Sequence, residues 1–194
     1  ISKEIVASIG KAIKVDSAMK IQELAEIIAK PSLQMVSFTI TEKGYALTNM
    51  QGELLPMVAE DIKKGPMAPQ NTMSLITALL LRRYQAGQYP LTLVSMDNCS
   101  HNGEKLQSSI MKIANAWLEK GFVEQNFIAY LENKKKITFP WSMIDKITPR
   151  PNKKVAELLR QAGIAGMELV VTKKDTFIAP FVNAERPQYL VIED

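Results

Sequence analysis

The sequence predicts an α/β protein, a mainly parallel sheet with flanking helices. Three observations carry that expectation. Strand-like and helix-like segments alternate along most of the chain, which implies parallel strands joined by crossover helices. The run Leu91, Leu93, Val94, Met96 is apolar on both faces, as suits a buried parallel strand. Polar residues crowd just past the strand candidates, at the edge where ligands bind in open α/β sheets. The sharpest case is Asp97, Asn98, Ser100, Asn102 and Gly103, which precede a helix marked by Leu106, Ile110, Ile113 and Trp117, with Ser100 or Asn102 as its N-cap.

The remaining elements follow in order. Ile5, Val6, Ala7 and Ile9, then Ala12, Ile13 and Val15, form a β-prone start broken at Gly10, read as one bent strand or a hairpin. Asp16 or Ser17 caps a helix whose apolar face is Ile21, Leu24, Ile27 and Ile28, and Lys30-Pro31 ends it. Leu33 to Thr41 is a strand, with Glu42-Lys43-Gly44-Tyr45 behind it. Asn49 to Glu53 is a turn, Leu54 to Lys63 a short helix stopped by Gly65-Pro66, and Pro66 to Pro69 a loop. Asn71 or Thr72 opens a strongly apolar helix through Met73, Ile76, Leu79 and Leu80. Arg82-Arg83 reads as its basic last turn and Gly87 as its left-handed terminus. Beyond Trp117, Gly121 breaks the pattern and Val123 to Leu131 resumes it as a helix. Pro140 and Pro149 make Ile137 to Pro149 a loop with extended segments. Asn152 caps a helix with Val155, Leu158 and Leu159 inward, stopped by Gly163. Leu169-Val170-Val171, Phe177-Ile178 and Leu190-Val191-Ile192 are the last strand candidates.

At 194 residues, 46% hydrophobic and 23% charged, the chain suits one compact globular unit. Its net charge is +4, and Lys134-Lys135-Lys136, without interleaved aromatics, reads as a solvated helix end, so no nucleic-acid partner is expected. No apolar run reaches the length of a membrane span and no basic-then-apolar leader opens the chain, so no membrane partner is expected and the location reads as cytoplasmic. Cys99 is the only cysteine and His101 the only histidine, which excludes an internal disulfide and a CxxC metal site. The chain starts at Ile1 rather than Met and reaches strand-like Tyr189 to Ile192 just before Glu193-Asp194, so both ends read as cut.

Three polar clusters can carry chemistry: Thr39 to Tyr45, Asp97-Asn98 with Asn102-Gly103, and Ser142 to Lys146. If the first two strands are parallel, their polar ends share one edge and one site. The Asn98 amide can donate to a developing oxyanion, and Gly44 and Gly103 let backbone approach a ligand. The competing reading is that Asp97 and Asn98 only cap the turn. His101, with no second histidine and no Ser-His-Asp order, reads as a solvent-facing turn residue rather than a general base, and Cys99 as a small buried thiol near the site. Glu42 and Asp145 are paired carboxylates only if the fold brings them together.

Written as ITEKGY, VSMDNCSHNGEKL and FPWSMIDKITP, these clusters occur in an order and at spacings that resemble the long-chain polyol dehydrogenases of the mannitol dehydrogenase family, whose relatives include fructuronate reductases. The resemblance runs from near residue 5 to the final VIED. It implies an incomplete Rossmann-type fold, with 1–194 a single partial nucleotide-binding domain. The Gly-rich GxGxxG turn of the family's first βα unit does not occur in the sequence. Nor does the Lys-x4-Asn-x2-His motif of the family's helical C-terminal substrate domain, since no lysine stands at that spacing before His101.

The resemblance further implies NAD as cofactor and a sugar alcohol or sugar acid as small-molecule substrate, interconverted with its keto form. The missing C-terminal substrate domain of the same polypeptide is the implied partner. Asn98 matches the asparagine that helps hold the reacting oxygen beside the nicotinamide, and Asp145 an aspartate lining the same cleft; these are the catalytic candidates. Glu42 matches a glutamate of the strand-end motif, and Lys43, Asn102 and Gly103 match positions with structural or cofactor-proximal roles; with Asn98 they are the cofactor-binding candidates. No metal is implied. Where the family often has Leu-Pro after its asparagine, this chain has Cys99-Ser100. These residues alone are expected to be inactive and to bind NAD feebly. The alternative is a non-catalytic remnant of the fold that serves as a binding or interaction module.

Overall fold

The computed structural model describes residues 8–145, 150–168, 170–171, 177–178, 180–184 and 189–193. Contacts divide these residues into two compact units, one within Ile1–Ser142 and Glu193–Asp194, the other within Met143–Ile192. Composition, which suits one compact unit, does not register where a sheet stops gaining strands.

In the first unit, α1 (Ala18–Ile28) starts where the Ser17 hydroxyl accepts from Lys20 N–H at 3.4 Å. β1 (Met35–Phe38) comes next, then a 3-10 turn at Glu42–Tyr45 and α2 (Pro56–Lys64), whose first-turn proline lacks only an N–H that would have no helical partner. α3 (Thr72–Gly87) is capped by Asn71, whose Oδ1 accepts from Met73 N–H at 2.8 Å. β2 (Leu91–Ser95), α4 (Asn102–Glu119), α5 (Gln125–Glu132) and β3 (Ile137–Thr138) complete the unit. The strand order is β1-β2-β3, all parallel, with Val36 opposite Leu93 and Leu91 opposite Ile137. β2 is therefore central. Its Leu91, Leu93 and Val94 are all buried, which is why that run is apolar on both faces. α3 packs against α1, α2, α4 and α5 and is buried nearly all round. The fully buried Trp117 of α4 donates its indole N–H to the Asp61 carbonyl at 3.1 Å, while the Asp61 carboxylate accepts from Gln70 and Asn71 N–H groups ahead of α3.

Three local expectations differ from this structure. No strand forms over residues 8–16, and residues 1–7 lie outside the described ones; Ile9 and Val15 are exposed, and no described strand lies beside them to supply a ladder. The left-handed residue after α3 is Gln88, with φ 55°, rather than Gly87. Arg83 is not a solvated dipole partner. It is fully buried, and all five of its N–H groups are spent on backbone carbonyls: Tyr89 at 2.9 Å, Ile28 at 2.5 Å, Lys30 at 2.9 Å, Leu33 at 2.8 Å and Pro90 at 2.6 Å. The chain after α1 and the entrance to β2 turn these carbonyls toward one point, where a planar guanidinium meets them together, although Lys30 O also accepts from Leu33 N–H and Tyr89 O from the Tyr130 hydroxyl. Burial lowers the Arg83 pKa from its usual value, and the Tyr130 and Tyr89 side chains oppose that shift.

The second unit holds β4 (Ser142–Asp145) from Met143 onward, α6 (Lys153–Gln161), β5 (Val170–Val171), β6 (Phe177–Ile178) and β7 (Tyr189–Ile192). The expected late strands form, with Leu169 outside the described residues. They pair among themselves, β4 with β7 and β5 antiparallel with β6, rather than extending the parallel sheet. Asn152 caps α6 as expected, accepting from Lys154 N–H at 2.8 Å. Ala156 is the buried residue of α6, and Leu158, expected inward, is exposed. Two-stranded sheets offer too little apolar surface to cover a whole helix face.

Candidate active site

Because β1 and β2 run parallel and adjacent, the segments after them leave the same edge of the sheet. They meet at Asp97. Its carboxylate is buried and accepts from Ile40 N–H and Thr41 N–H, each at 2.9 Å, and from the Tyr45 hydroxyl at 2.5 Å. That hydroxyl also lies 2.7 Å from Ser95 Oγ. Burial, and then the bond to Asp97, raise the Tyr45 pKa far above the ordinary phenol range, so this group stays a donor. Thr41 carries φ 63° and ψ 160°, a combination that β-branched residues rarely adopt.

Asn102, the first residue of α4, ties the same edge to the chain beyond β3. Its Nδ2 donates to Asp97 O at 3.1 Å and Ser142 O at 2.9 Å, and its Oδ1 accepts from Ser142 N–H at 3.0 Å and Gly103 N–H at 2.8 Å. Ser142 Oγ in turn donates to Ser95 O. Neither Ser100 nor Asn102 is the N-cap. That place falls to His101, with φ 54° and no capping side chain, because the Asn102 amide is taken up by the strand ends. Gly103 allows the first turn of α4 to lie against backbone: a Cβ there would sit 2.4 Å from Phe139 O and 2.7 Å from Pro140 O. The close approach at Gly103 is thus to protein.

Around this buried frame stand the groups open to solvent. Asn98 is exposed in the turn between β2 and α4. Glu42 is exposed and accepts from Lys105 Nζ at 2.5 Å, and Lys43 is exposed beside it. That bond raises the Lys105 pKa. Cys99 is half-buried, and burial pushes its thiol up while the Lys105 ammonium opposes that shift. His101 is solvent-facing, as its isolation in the sequence suggested, with Nδ1 3.0 Å from Glu104 Oε2 and its ring 4.3 Å from that of Trp141. Asp145 closes β4 in the second unit and its side chain lies outside the described residues, as does Lys146. Among the described residues no His, Cys, Asp and Glu group could hold a metal ion, and no helix is long and apolar enough to cross a membrane.

Asn98, Glu42, Lys43, Asn102 and Gly103 stand out as candidates in the sequence, whereas the groups that hold this edge together do not. Tyr45 and Ser142 lie in the polar clusters with no role of their own marked, Ser95 lies in none, and Asp97 has the look of a turn cap. A signal was present in Tyr45, an aromatic residue three places after Glu42 in a turn otherwise polar.

The family model of the mannitol dehydrogenase Rossmann domain matches residues 2–180. The chain belongs to the mannitol dehydrogenase family. Among its family relatives, D-mannonate oxidoreductase of Thermotoga maritima is 52% identical over 99% of this chain and 35% of its own length. Mannitol 2-dehydrogenase of Phaeosphaeria nodorum is 33% identical over 75% of this chain and 25% of its own length. The mannitol dehydrogenase-family chain thus spans about a third or less of these curated relatives. Two solved structures share its fold. Pseudomonas fluorescens mannitol 2-dehydrogenase, in a ternary complex with NAD and D-mannitol, superposes with TM-score 0.67 at 29% identity, covering 92% of this chain and 32% of its own. A substrate-free D-sorbitol dehydrogenase gives 0.68 at 26% identity, covering 89% and 32%. The Rossmann-type fold and parallel sheet with flanking helices expected from the sequence are those of this family.

Proposed function

We propose that this chain is the nicotinamide-side part of an NAD(H)-dependent oxidoreductase that interconverts a sugar alcohol or sugar acid with its keto form. The observation that carries the reading is the placement of Asn98: an exposed neutral amide at the shared carboxyl edge of β1 and β2, in a turn whose preceding residue is locked by buried hydrogen bonds. The donor set there fits the nicotinamide end of the cofactor, since an amide and a nearby carboxylate, Glu42, match a carboxamide and a ribose diol. No residues here form a Gly-rich cradle for the pyrophosphate. The 52% identity to D-mannonate oxidoreductase supports a sugar acid as substrate, and the lone cysteine supports a cytoplasmic setting.

In this reading Asn98 donates its amide N–H to the reacting oxygen, which carries growing negative charge as the carbonyl is reduced. Bound NAD(H) supplies the hydride acceptor or donor. Glu42 and Lys43 flank the cofactor, and Asn102 and Gly103 hold the turn that carries Asn98. Asp145 stays a catalytic candidate on its match to the family's aspartate alone. The proton is handled by the lysine of the helical substrate domain, which belongs to the same, longer polypeptide.

The test is steady-state kinetics on that complete polypeptide. Asn98→Ala should lower turnover by on the order of 10²–10³, about 3–4 kcal/mol, with NADH affinity little changed. Asn98→Asp should be slower still, because a carboxylate repels the developing alkoxide. A large loss of NADH affinity at unchanged turnover would make Asn98 a cofactor ligand or a turn cap instead.

A further inference from the structure

We propose that Asp97 is the positioning residue of this site, acting through its neighbour Asn98 while holding the Thr41 turn on the opposite strand. The inference rests on the role of Asn98 given above.

The Asp97 carboxylate ties the two strand ends together. Two consecutive backbone N–H groups of the β1 side, Ile40 and Thr41, converge on it at 2.9 Å, and the Tyr45 hydroxyl closes the third direction at 2.5 Å. Its own carbonyl is held by Asn102 Nδ2 at 3.1 Å. The residue directly before Asn98 is therefore fixed at side chain and main chain alike, whereas Asn98 is exposed. Aiming an amide at a reacting oxygen demands a rigid support, since a misplacement near 1 Å can lower the rate about 10²-fold.

Thr41 adds an independent observation. Its φ 63° with ψ 160° lies in a region that is nearly reserved for glycine, and such a conformation persists only where the surroundings over-determine it. Here the over-determining group is Asp97, which takes the N–H groups on both sides of the Ile40–Thr41 peptide link. The buried hydroxyl of Tyr45, kept protonated by its surroundings, completes the set of donors that a carboxylate can satisfy and an amide cannot. In Asp97→Asn, whichever oxygen becomes NH2, at least one backbone N–H then faces another donor.

The decisive experiment is a double-mutant cycle in the complete polypeptide with Asp97→Asn and Asn98→Ala, reading both turnover and Tm. Asp97→Asn alone should slow turnover on the order of 10- to 100-fold. In the Asn98→Ala background it should slow turnover less than about 3-fold, while its effect on Tm is the same in both backgrounds. A merely structural role would leave the turnover losses multiplicative, and equal fold losses in the two backgrounds would overturn the proposal. Should Asn98→Ala leave turnover intact, the functional reading of Asn98 fails, and the proposal falls with it. If Asp97→Asn does not fold, the cycle is run with Thr41→Gly in all four proteins, because glycine adopts this backbone conformation without strain. Recovery of turnover together with Tm in the Asp97→Asn, Thr41→Gly protein would show that Asp97 acts only on loop stability and would overturn the proposal.

Discussion

Replacing Arg83 by lysine keeps the charge and most of the length but removes the fork, and the structure sets the size of the loss. Five N–H groups meet five carbonyls at 2.5–2.9 Å in a side chain with no exposed surface. A lysine ammonium has three donors, so at least two carbonyls lose their partner. The Tyr89 and Lys30 carbonyls retain one, because the Tyr130 hydroxyl donates to the first at 2.9 Å and the Leu33 N–H to the second at 3.1 Å. Leaving a buried acceptor unpaired costs about 1–3 kcal/mol, and one nitrogen cannot stand where both terminal guanidinium nitrogens stood, so at least one of the Ile28, Leu33 and Pro90 carbonyls loses its partner and Arg83→Lys costs about 1–3 kcal/mol or more. That compares with the roughly 5–15 kcal/mol by which a typical domain is stable. Urea unfolding followed by the fluorescence of Trp117, which is fully buried in the same unit, would show the midpoint fall with little change in slope. A loss below about 1 kcal/mol would mean that the carbonyls find water or that the guanidinium geometry is dispensable, and the argument from donor count would be refuted. Arg83 bonds the backbone just before β2, at the end of the strand opposite Asn98, so in the complete polypeptide the folded fraction of Arg83→Lys should keep its turnover.

Three further outcomes follow from particular contacts. Gly103→Ala places a methyl 2.4 Å from Phe139 O, so α4 must move off the 139–140 backbone, and a thermal melt should show a loss of about 1–3 kcal/mol; an unchanged Tm would refute the packing argument. Tyr45 stays neutral in the folded protein to higher pH than in the unfolded chain, where phenols ionise near pH 10. Its contribution is therefore full below about pH 10 and is lost as pH rises beyond, so Tm should fall above that pH less steeply in Tyr45→Phe than in the wild type, and equal slopes would refute it. The 194 residues by themselves should bind NAD too weakly for micromolar calorimetry, since no Gly-rich turn cradles the pyrophosphate; a micromolar Kd would contradict this.

Local chemistry was legible from the amino-acid order. Ser17, Asn71 and Asn152 mark helix starts because their side chains bond N–H groups two or three residues ahead, a matter of short-range geometry. The two-faced apolar run at Leu91 to Met96 announced a central strand, and the polar residues behind it and behind β1 announced a common edge. The three motif clusters carry the family resemblance in the amino-acid order itself. What sequence could not show is which buried polar group answers which. Asp97 looks like any turn aspartate until β1 lies beside β2 and three donors separated from it by more than fifty residues converge on its carboxylate. Arg83 looks like a basic helix end until α1 and the approach to β2 turn five carbonyls toward it. Asn102 would have capped α4, but Ser142 and the end of β2 claim its amide first. Periodicity and caps are properties of neighbouring residues, whereas the pairing of buried polar groups is decided only when distant segments are packed and every hydrogen bond lost to water has to be replaced from within.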